Sequence, residues 1–359
     1  MKVLFVTDKC DRPESELFIA LSKKVKVTVM CNPDGRNYPL LKAAGVNLID
    51  LKITGRFDKQ GTEKIKQALY AGDYDLLHAF NSRAVTCAIK AGKKHRVKIL
   101  GYRGVTTNMS YTQPENWFSF LHPCLDGVFC VAEAVRQAML KARFLWLRIP
   151  PKKLKTIYKG HKPEWYTGEP ADLARFNLPK NSQVLSCISR NSMHKGIPTL
   201  LEAFDSLPSE LNAHLLLIGD IDKNQQAHQR ASQCKHPERI HFTGYINNPT
   251  DVIRASDLLV SASKSGEGLP RVVVEAMCVE TPVVATDAGG TPEIVLNNKT
   301  GLLVKQGNSE QLKEAIMQTF QNPDATQQRV ATALKRINTV FDAETTAQRT
   351  LEWYKSLIA

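Results

Sequence analysis

The stretch Ser263-Lys264-Ser265-Gly266-Glu267-Gly268-Leu269-Pro270-Arg271-Val272-Val273-Val274-Glu275-Ala276-Met277 concentrates the groups best suited to do chemistry. A strand is expected to end at Ser261, Gly266 and Gly268 permit a tight turn, and Pro270 suits the first position of a helix. Backbone N–H groups in such a loop, including that of Leu269, and the positive end of the helix dipole can hold a diphosphate. Glu275 falls about one and a half turns into the helix while Glu267 stays on the loop, so the two carboxylates can reach different parts of one extended ligand. A carboxylate behind a phosphate-binding loop suits ribose hydroxyls, which assigns Glu275 to a ribose. Glu267 could accept bonds from sugar hydroxyls or stabilise positive charge at an anomeric carbon. The alternatives are a solvated loop residue at 267 and a helix-surface charge at 275.

Other chemistries find less support. Eight cysteines (Cys10, Cys31, Cys87, Cys124, Cys130, Cys187, Cys234, Cys278) are scattered without a CxxC pair or a nearby histidine cluster, which argues against zinc and against a disulfide framework. Two DxD triplets, Asp73-Tyr74-Asp75 and Asp220-Ile221-Asp222, could hold a hard cation but read as structural. No G-x-G-x-x-G follows either first strand, which disfavours a dehydrogenase. Apolar runs such as Leu215–Ile218 and Val272–Val274 fall far below the ~20 residues of a membrane span. The first residues lack the apolar region of a signal peptide, so a cytoplasmic location is expected, extended to the inner face of the cytoplasmic membrane if the basic half binds lipid.

These residues need a scaffold, and the chain supplies one by alternation. Lys2–Val6, Glu14–Lys24 and Val25–Met30 read as strand, helix, strand, and the pattern continues through Glu63–Ala71, Asp75–Ala79, Arg83–Ala91, Val97–Gly101, Gly127–Val131 and Glu133–Lys141. After a break at Ile149-Pro150-Pro151 and Gly160–Pro170 it starts afresh at Val184–Ile188 and runs on to Ser309–Gln321. With 359 residues, two α/β domains are expected, each a doubly wound parallel sheet: residues 1–165, with a terminal helix 342–359 packing back on them, and residues 166–341. Two such domains facing a central cleft would bind ligands beyond the carboxyl ends of their strands. Charge is divided the same way. Residues 1–165 hold 29 Lys and Arg against 14 Asp and Glu, and residues 166–359 hold 19 against 21. The N-terminal half is thereby marked for an anionic partner, a phosphorylated lipid, a membrane surface or nucleic acid; the alternative is a merely soluble basic face.

The spacing Glu267-x7-Glu275 inside Gly-Glu-Gly-Leu-Pro…Glu-Ala-Met, followed by Thr281-Pro282-Val283-Val284-Ala285-Thr286-Asp287-Ala288-Gly289-Gly290, resembles the retaining glycosyltransferase family 4, of GT-B fold. The resemblance extends to Ile188–Gly196, Leu215–Asp220, Phe242-Thr243-Gly244-Tyr245 and Ala255-Ser256-Asp257, and covers most of residues 155–359. It implies a metal-independent, retaining hexosyltransferase that uses a UDP- or GDP-sugar and a glycan or lipid-linked acceptor in envelope polysaccharide or lipopolysaccharide synthesis. By position, Arg190 and Lys195 would clamp the donor diphosphate and stabilise the leaving group, with Glu267 acting on the sugar. Tyr245 and Ile246 stand where the family reads the base, largely through backbone groups. A nucleotide-sugar epimerase on the same fold, or a non-catalytic nucleotide-sugar or RNA-binding protein, are the competing readings.

The N-terminal half departs from the family. Where many members have a glycine pair after the first strand, this chain has Asp8-Lys9-Cys10-Asp11-Arg12-Pro13-Glu14-Ser15, and where they often have a histidine it has Gly101-Tyr102-Arg103-Gly104. Acceptor-side candidates are therefore Arg103, His78 and Arg12, with a salt bridge as the other role for Arg103 and core packing for His78. The segment Lys141–Lys155 interleaves basic and bulky apolar residues, which fits an anionic membrane surface; interdomain packing is the alternative, and no nucleic-acid motif accompanies it.

Overall fold

The computed structural model describes all residues from Met1 to Ala359 and divides into two compact units. One comprises Met1–Gly160 and Phe341–Ala359, the other His161–Val340. The division falls after Gly160, a few residues before the boundary expected near 166.

In the first unit, β1 (Lys2–Val6), β2 (Lys26–Cys31), β3 (Asn47–Asp50), β4 (Leu76–Phe80), β5 (Lys98–Arg103) and β6 (Gly127–Cys130) precede a small hairpin, β7 (Arg143–Phe144) and β8 (Leu147–Arg148), and then β9 (Leu154–Thr156). The parallel sheet has the order β3-β2-β1-β4-β5-β6-β9. Its central strands are covered on both faces, so they read as continuous apolar runs: Val3, Leu4, Phe5 and Val6 are all fully buried. The final helix, Ala343–Ile358, lays Trp353 and Tyr354 into this core. Gly127 accommodates it, since a Cβ there would lie 2.8 Å from the Trp353 ring. Helix Arg12–Ser22 is fixed at its start by a capping box, in which Asp11 accepts from the Glu14 amide and Glu14 from the Asp11 amide.

In the second unit β10 (Gln183–Ile188), β11 (Ala213–Ile218), β12 (Ile240–Gly244), β13 (Leu258–Ser261), β14 (Val283–Thr286) and β15 (Leu302–Val304) form a parallel sheet of order β12-β11-β10-β13-β14-β15. All strands run parallel, but the order in which the chain adds them turns from one side to the other between β10 and β13, where Leu185 pairs with Leu258 and Ser186 with Leu259. The core beneath gathers Leu185, Leu200, Leu201, Leu215, Leu217, Leu258 and Ile316.

The hairpin β7–β8 projects three large apolar side chains, with Phe144, Leu145 and Trp146 being 48%, 73% and 82% exposed. Its register sets Arg143 opposite Arg148, and Leu145 turns the chain at a positive φ of 54°. No helix is long and apolar enough to cross a membrane.

Candidate functional site

Two loops leave the carboxyl ends of neighbouring strands β10 and β13, the position at which an open α/β sheet leaves a crevice for ligands. The first runs from Ser189 through a short turn at Met193–Lys195 to Gly196, where helix Ile197–Asp205 begins. Gly196 has φ +65°, and a Cβ on it would come within 1.9 Å of the Ala262 carbonyl oxygen in the second loop. Only glycine lets the two loops approach this closely. The Lys264 amide closes the contact by donating to the His194 carbonyl at 2.7 Å, and the His194 ring meets the Ser265 hydroxyl at 2.7 Å.

That approach brings Lys195 and Glu267 together. Lys195 Nζ lies 2.6 Å from Glu267 Oε1, and Ser263 Oγ donates to the same oxygen at 2.6 Å. Behind them Gly289, with φ +58°, would place a Cβ 1.9 Å from the Glu267 carbonyl oxygen, and the Gly290 amide donates to that carbonyl at 3.2 Å. The Glu267 side chain is thus held from three directions: by Lys195, by Ser263 and through its own backbone against Gly289 and Gly290. Gly266, at φ +84°, turns the loop as expected, and Gly268 and Leu269 lead into the helix. Pro270 stands one position before the first helical residue, as the N-cap of Arg271–Cys278, rather than inside the helix.

Glu275 lies on the buried face of that helix, only 7% exposed, with Oε1 3.2 Å from Arg271 Nε. The reading of Glu275 as a mere surface charge is therefore incorrect. Arg190 follows β10 as an exposed side chain without an ion pair. Tyr245 and Ile246 follow Gly244 at the carboxyl end of β12. Tyr245 is largely exposed, and Ile246 packs on the cluster of Val184, Leu216, Ile218 and Val252.

Three of the four DxD acids meet partners within the protein. Asp75 accepts from the Lys2 amide at 2.7 Å, Asp220 meets Lys223 at 3.4 Å, and Asp222 lies 3.6 Å from the His228 ring. No group of three or more His, Cys, Asp or Glu side chains converges in a way that could hold a metal ion.

The N-terminal candidates separate. His78 sits inside β4, fully buried, with Nδ1 2.5 Å from the Tyr354 hydroxyl, and burial pushes its pKa down to about 3. It is a core histidine holding the final helix, and its assignment to the acceptor side is corrected: no ligand reaches it. Arg12 is exposed in the first turn of its helix and pairs with Glu16 at 3.6 Å. Arg103 makes no salt bridge. It donates through Nη2 to the Thr107 carbonyl, stacks its guanidinium 4.9 Å from the Phe120 ring centre, and lines a pocket of about 320 Å³.

Sequence reasoning passed over Ser263 and Lys159. The alternation Ser263-Lys264-Ser265 was the available signal for the first. Lys159 carried none, because its partners Asp11 and Glu14, the latter at 2.9 Å, lie far away in the chain.

Residues 169–336 match the family model for glycosyl transferases group 1. Over its whole length the chain has the GT-B fold: it superposes on Anabaena Alr3699/HepE, crystallised with UDP, with a TM-score of 0.79 at 23% identity, covering 99% of this chain and 100% of that one. Among curated proteins it is 26% identical over 201 residues to the uncharacterized glycosyltransferase MJ1069 of Methanocaldococcus jannaschii, covering 55% of this chain and 50% of the relative. It is 22% identical over 358 residues to a phosphatidyl-myo-inositol mannosyltransferase of Mycobacterium leprae, covering 96% and 91%. The chain spans about half the length of the first curated relatives it matches. The most informative part of the site, from Arg190 to Gly290, falls inside the group 1 segment.

Proposed function

We propose that the protein is a retaining glycosyltransferase that moves a hexosyl or N-acetylhexosaminyl group from a UDP- or GDP-sugar to a glycan or lipid-linked acceptor without a metal ion. The observation that carries this reading is the Lys195–Glu267 pair, set within the group 1 segment and braced by Gly196 and Gly289. A donor diphosphate binds between Arg190 and Lys195, which neutralise the charge that builds on the leaving phosphate as the glycosidic bond breaks. Lys195 exchanges part of its contact with Glu267 for that phosphate. Glu267 then turns its charge toward the sugar, where positive character develops at the anomeric carbon. Glu275 accepts from the ribose hydroxyls, and the backbone near Tyr245 and Ile246 meets the base. No side chain is placed as a nucleophile, which favours a front-face route in which the departing phosphate helps take the acceptor proton. Support for a nucleotide-sugar donor comes from the structural neighbour crystallised with UDP and from mycobacterial relatives named as GDP-mannose-dependent mannosyltransferases.

An acceptor presented at an anionic bilayer fits the exposed hairpin. Residues 141–155 contain six Lys and Arg and no acid, and Lys141, Arg143, Arg148, Lys152 and Lys155 make no ion pair. Like charges directly opposite one another, as at Arg143 and Arg148, are tolerated best beside an anionic surface. Lipopolysaccharide or envelope polysaccharide synthesis is the setting this suggests, in keeping with a Rhizobium meliloti relative named as a lipopolysaccharide core glycosyltransferase.

The test is product analysis with UDP- and GDP-sugars and a panel of acceptors in the presence of a chelator. Transfer that keeps the donor's anomeric configuration is expected. Inversion, dependence on added metal, or donor isomerisation without an acceptor would overturn the corresponding part of the reading.

A further inference from the structure

The N-terminal sheet has its own switch point. β1 and β4 are neighbours, with β2 and β3 beyond one and β5, β6 and β9 beyond the other. Thr7 follows β1, Asn81 follows β4, and Arg103 ends β5, so these three residues stand at the carboxyl edge where such sheets hold ligands. A pocket of about 320 Å³ opens there, and Thr7, Lys9, Asn81, Ser82 and Arg103 line it.

The walls of this pocket are chemically incomplete. Arg103 is 7% exposed, yet no carboxylate pairs with it and its Nε has no acceptor. A guanidinium removed from water without a counterion is costly, and burial draws its pKa down to about 10. The Thr7 hydroxyl is 1% exposed and also lacks a partner. Asn81 holds a backbone conformation rare for a side-chain-bearing residue, φ 68° and ψ 160°, fixed by its Oδ1, which accepts from the Arg83 and Ala84 amides at 3.1 Å each. Strain of this sort concentrates at binding sites.

The surrounding charges point to the sign of the ligand. Glu14, the acid on the wall, is held by Lys159 at 2.9 Å, and nearby Asp8 lies 3.7 Å from Arg83. Lys9, exposed and without an ion pair, and Arg103 are the cations left over. In place of a glycine-lined loop that would offer backbone amides, the loop after β1 offers a lysine.

We propose that this pocket binds an oxyanion, a phosphate monoester or a carboxylate, carried by the acceptor. Arg103 and Lys9 supply its charge partners and Thr7 a hydroxyl donor. That the ligand is the acceptor rests on the transferase reading above, whereas the anion site itself does not.

The experiment uses the full chain carrying Arg190→Ala and Lys195→Ala, so that the phosphate clamp of the second unit cannot contribute. Binding of glycerol 1-phosphate, glycerol and dihexanoyl phosphatidic acid is followed by ligand-observed NMR. Glycerol 1-phosphate is expected to bind and glycerol not. Loss of one charge-assisted contact in Lys9→Ser or Arg103→Gln should weaken binding about tenfold or more. Lys9 is exposed, so Lys9→Ser keeps the test decisive should Arg103→Gln fold poorly. Preference for the lipid phosphate over glycerol 1-phosphate would identify a lipid-linked source, and the reverse a soluble one. Equal binding of glycerol, no binding of either phosphate, or unchanged affinity in Lys9→Ser and in a folded Arg103→Gln would overturn the proposal. Because the readout is anion binding in the first unit, with Arg190 and Lys195 removed, failure here leaves the donor reading untouched.

Discussion

Replacing Glu267 with Gln separates what holds the loop from what acts on the donor. The carboxylate accepts from Lys195 Nζ and Ser263 Oγ, each at 2.6 Å, and both charged side chains are largely shielded, 21% exposed for Lys195 and 13% for Glu267. Glutamine keeps an acceptor oxygen but no charge, so one charge-assisted bond becomes a neutral one, a loss of about 1–2 kcal/mol. For a domain of this size that lowers the melting temperature by roughly 2–8 °C. Affinity for a nucleoside diphosphate should move the other way or stay level. Lys195 is released from its intramolecular counterion, and regaining even about 1.4 kcal/mol at the phosphate is tenfold in affinity. Turnover should fall by about 100- to 1,000-fold, the usual cost of removing one preorganised electrostatic group. Calorimetric titration with UDP and GDP, thermal melting and initial rates give the three readouts on one preparation. If Glu267→Gln weakens nucleotide binding as much as Glu275→Gln does, the division of roles between the two carboxylates is wrong.

Three further outcomes follow from the same structure. Gly289→Ala drives a Cβ into the Glu267 carbonyl, 1.9 Å away, and should cost about 100-fold in turnover through misplacement of the loop while far-ultraviolet circular dichroism stays unchanged; a fully active variant would contradict the bracing role. Since burial lowers the His78 pKa from 6.5 to about 3, protonation favours the unfolded chain: stability should be insensitive to His78 above pH 6.5 and fall as pH drops toward 3, by at most about 1.4 kcal/mol per unit, and His78→Gln should flatten that slope in urea titrations. Leu145→Ser with Trp146→Ser should abolish the salt-resistant part of binding to vesicles rich in phosphatidylglycerol, and Arg143→Ser with Arg148→Ser the salt-sensitive part; wild-type protein that ignores such vesicles at low salt would remove the membrane from the account.

Much of the fold was legible because strands buried on both faces must be continuously apolar. Lys2–Val6 coincides with the strand read from sequence, and helices Glu133–Lys141 and Ser309–Gln321 coincide with theirs as well. Elements too short to show a period were not. Asn47–Asp50 is an edge strand of four residues, only partly buried, and Leu302–Val304 has three residues. Helix Pro323–Ile337 is polar over most of its length, which hid it. The hairpin Arg143–Arg148 has no Asn-Gly or Asp-Gly signal, since Leu145 takes the positive φ. At the site, residue types and order along the loops were readable, but contacts between loops were not. Nothing local in the sequence tells that Gly196 lets Lys195 reach Glu267. Likewise His78 lies within a buried strand and Arg103 ends one, and it is the return of Tyr354 to the first and a pocket beside the second that show their roles.

The most direct measurement is the binding of UDP and GDP, with chelator present, to the wild type and to the variant carrying Arg190→Ala and Lys195→Ala. The account predicts that one of the two nucleotides binds the wild type without metal and that the double variant loses about 100-fold in affinity, two charge-assisted contacts at roughly 1.4 kcal/mol each. Equal affinity in both proteins, or binding that appears only with a divalent cation, would contradict it.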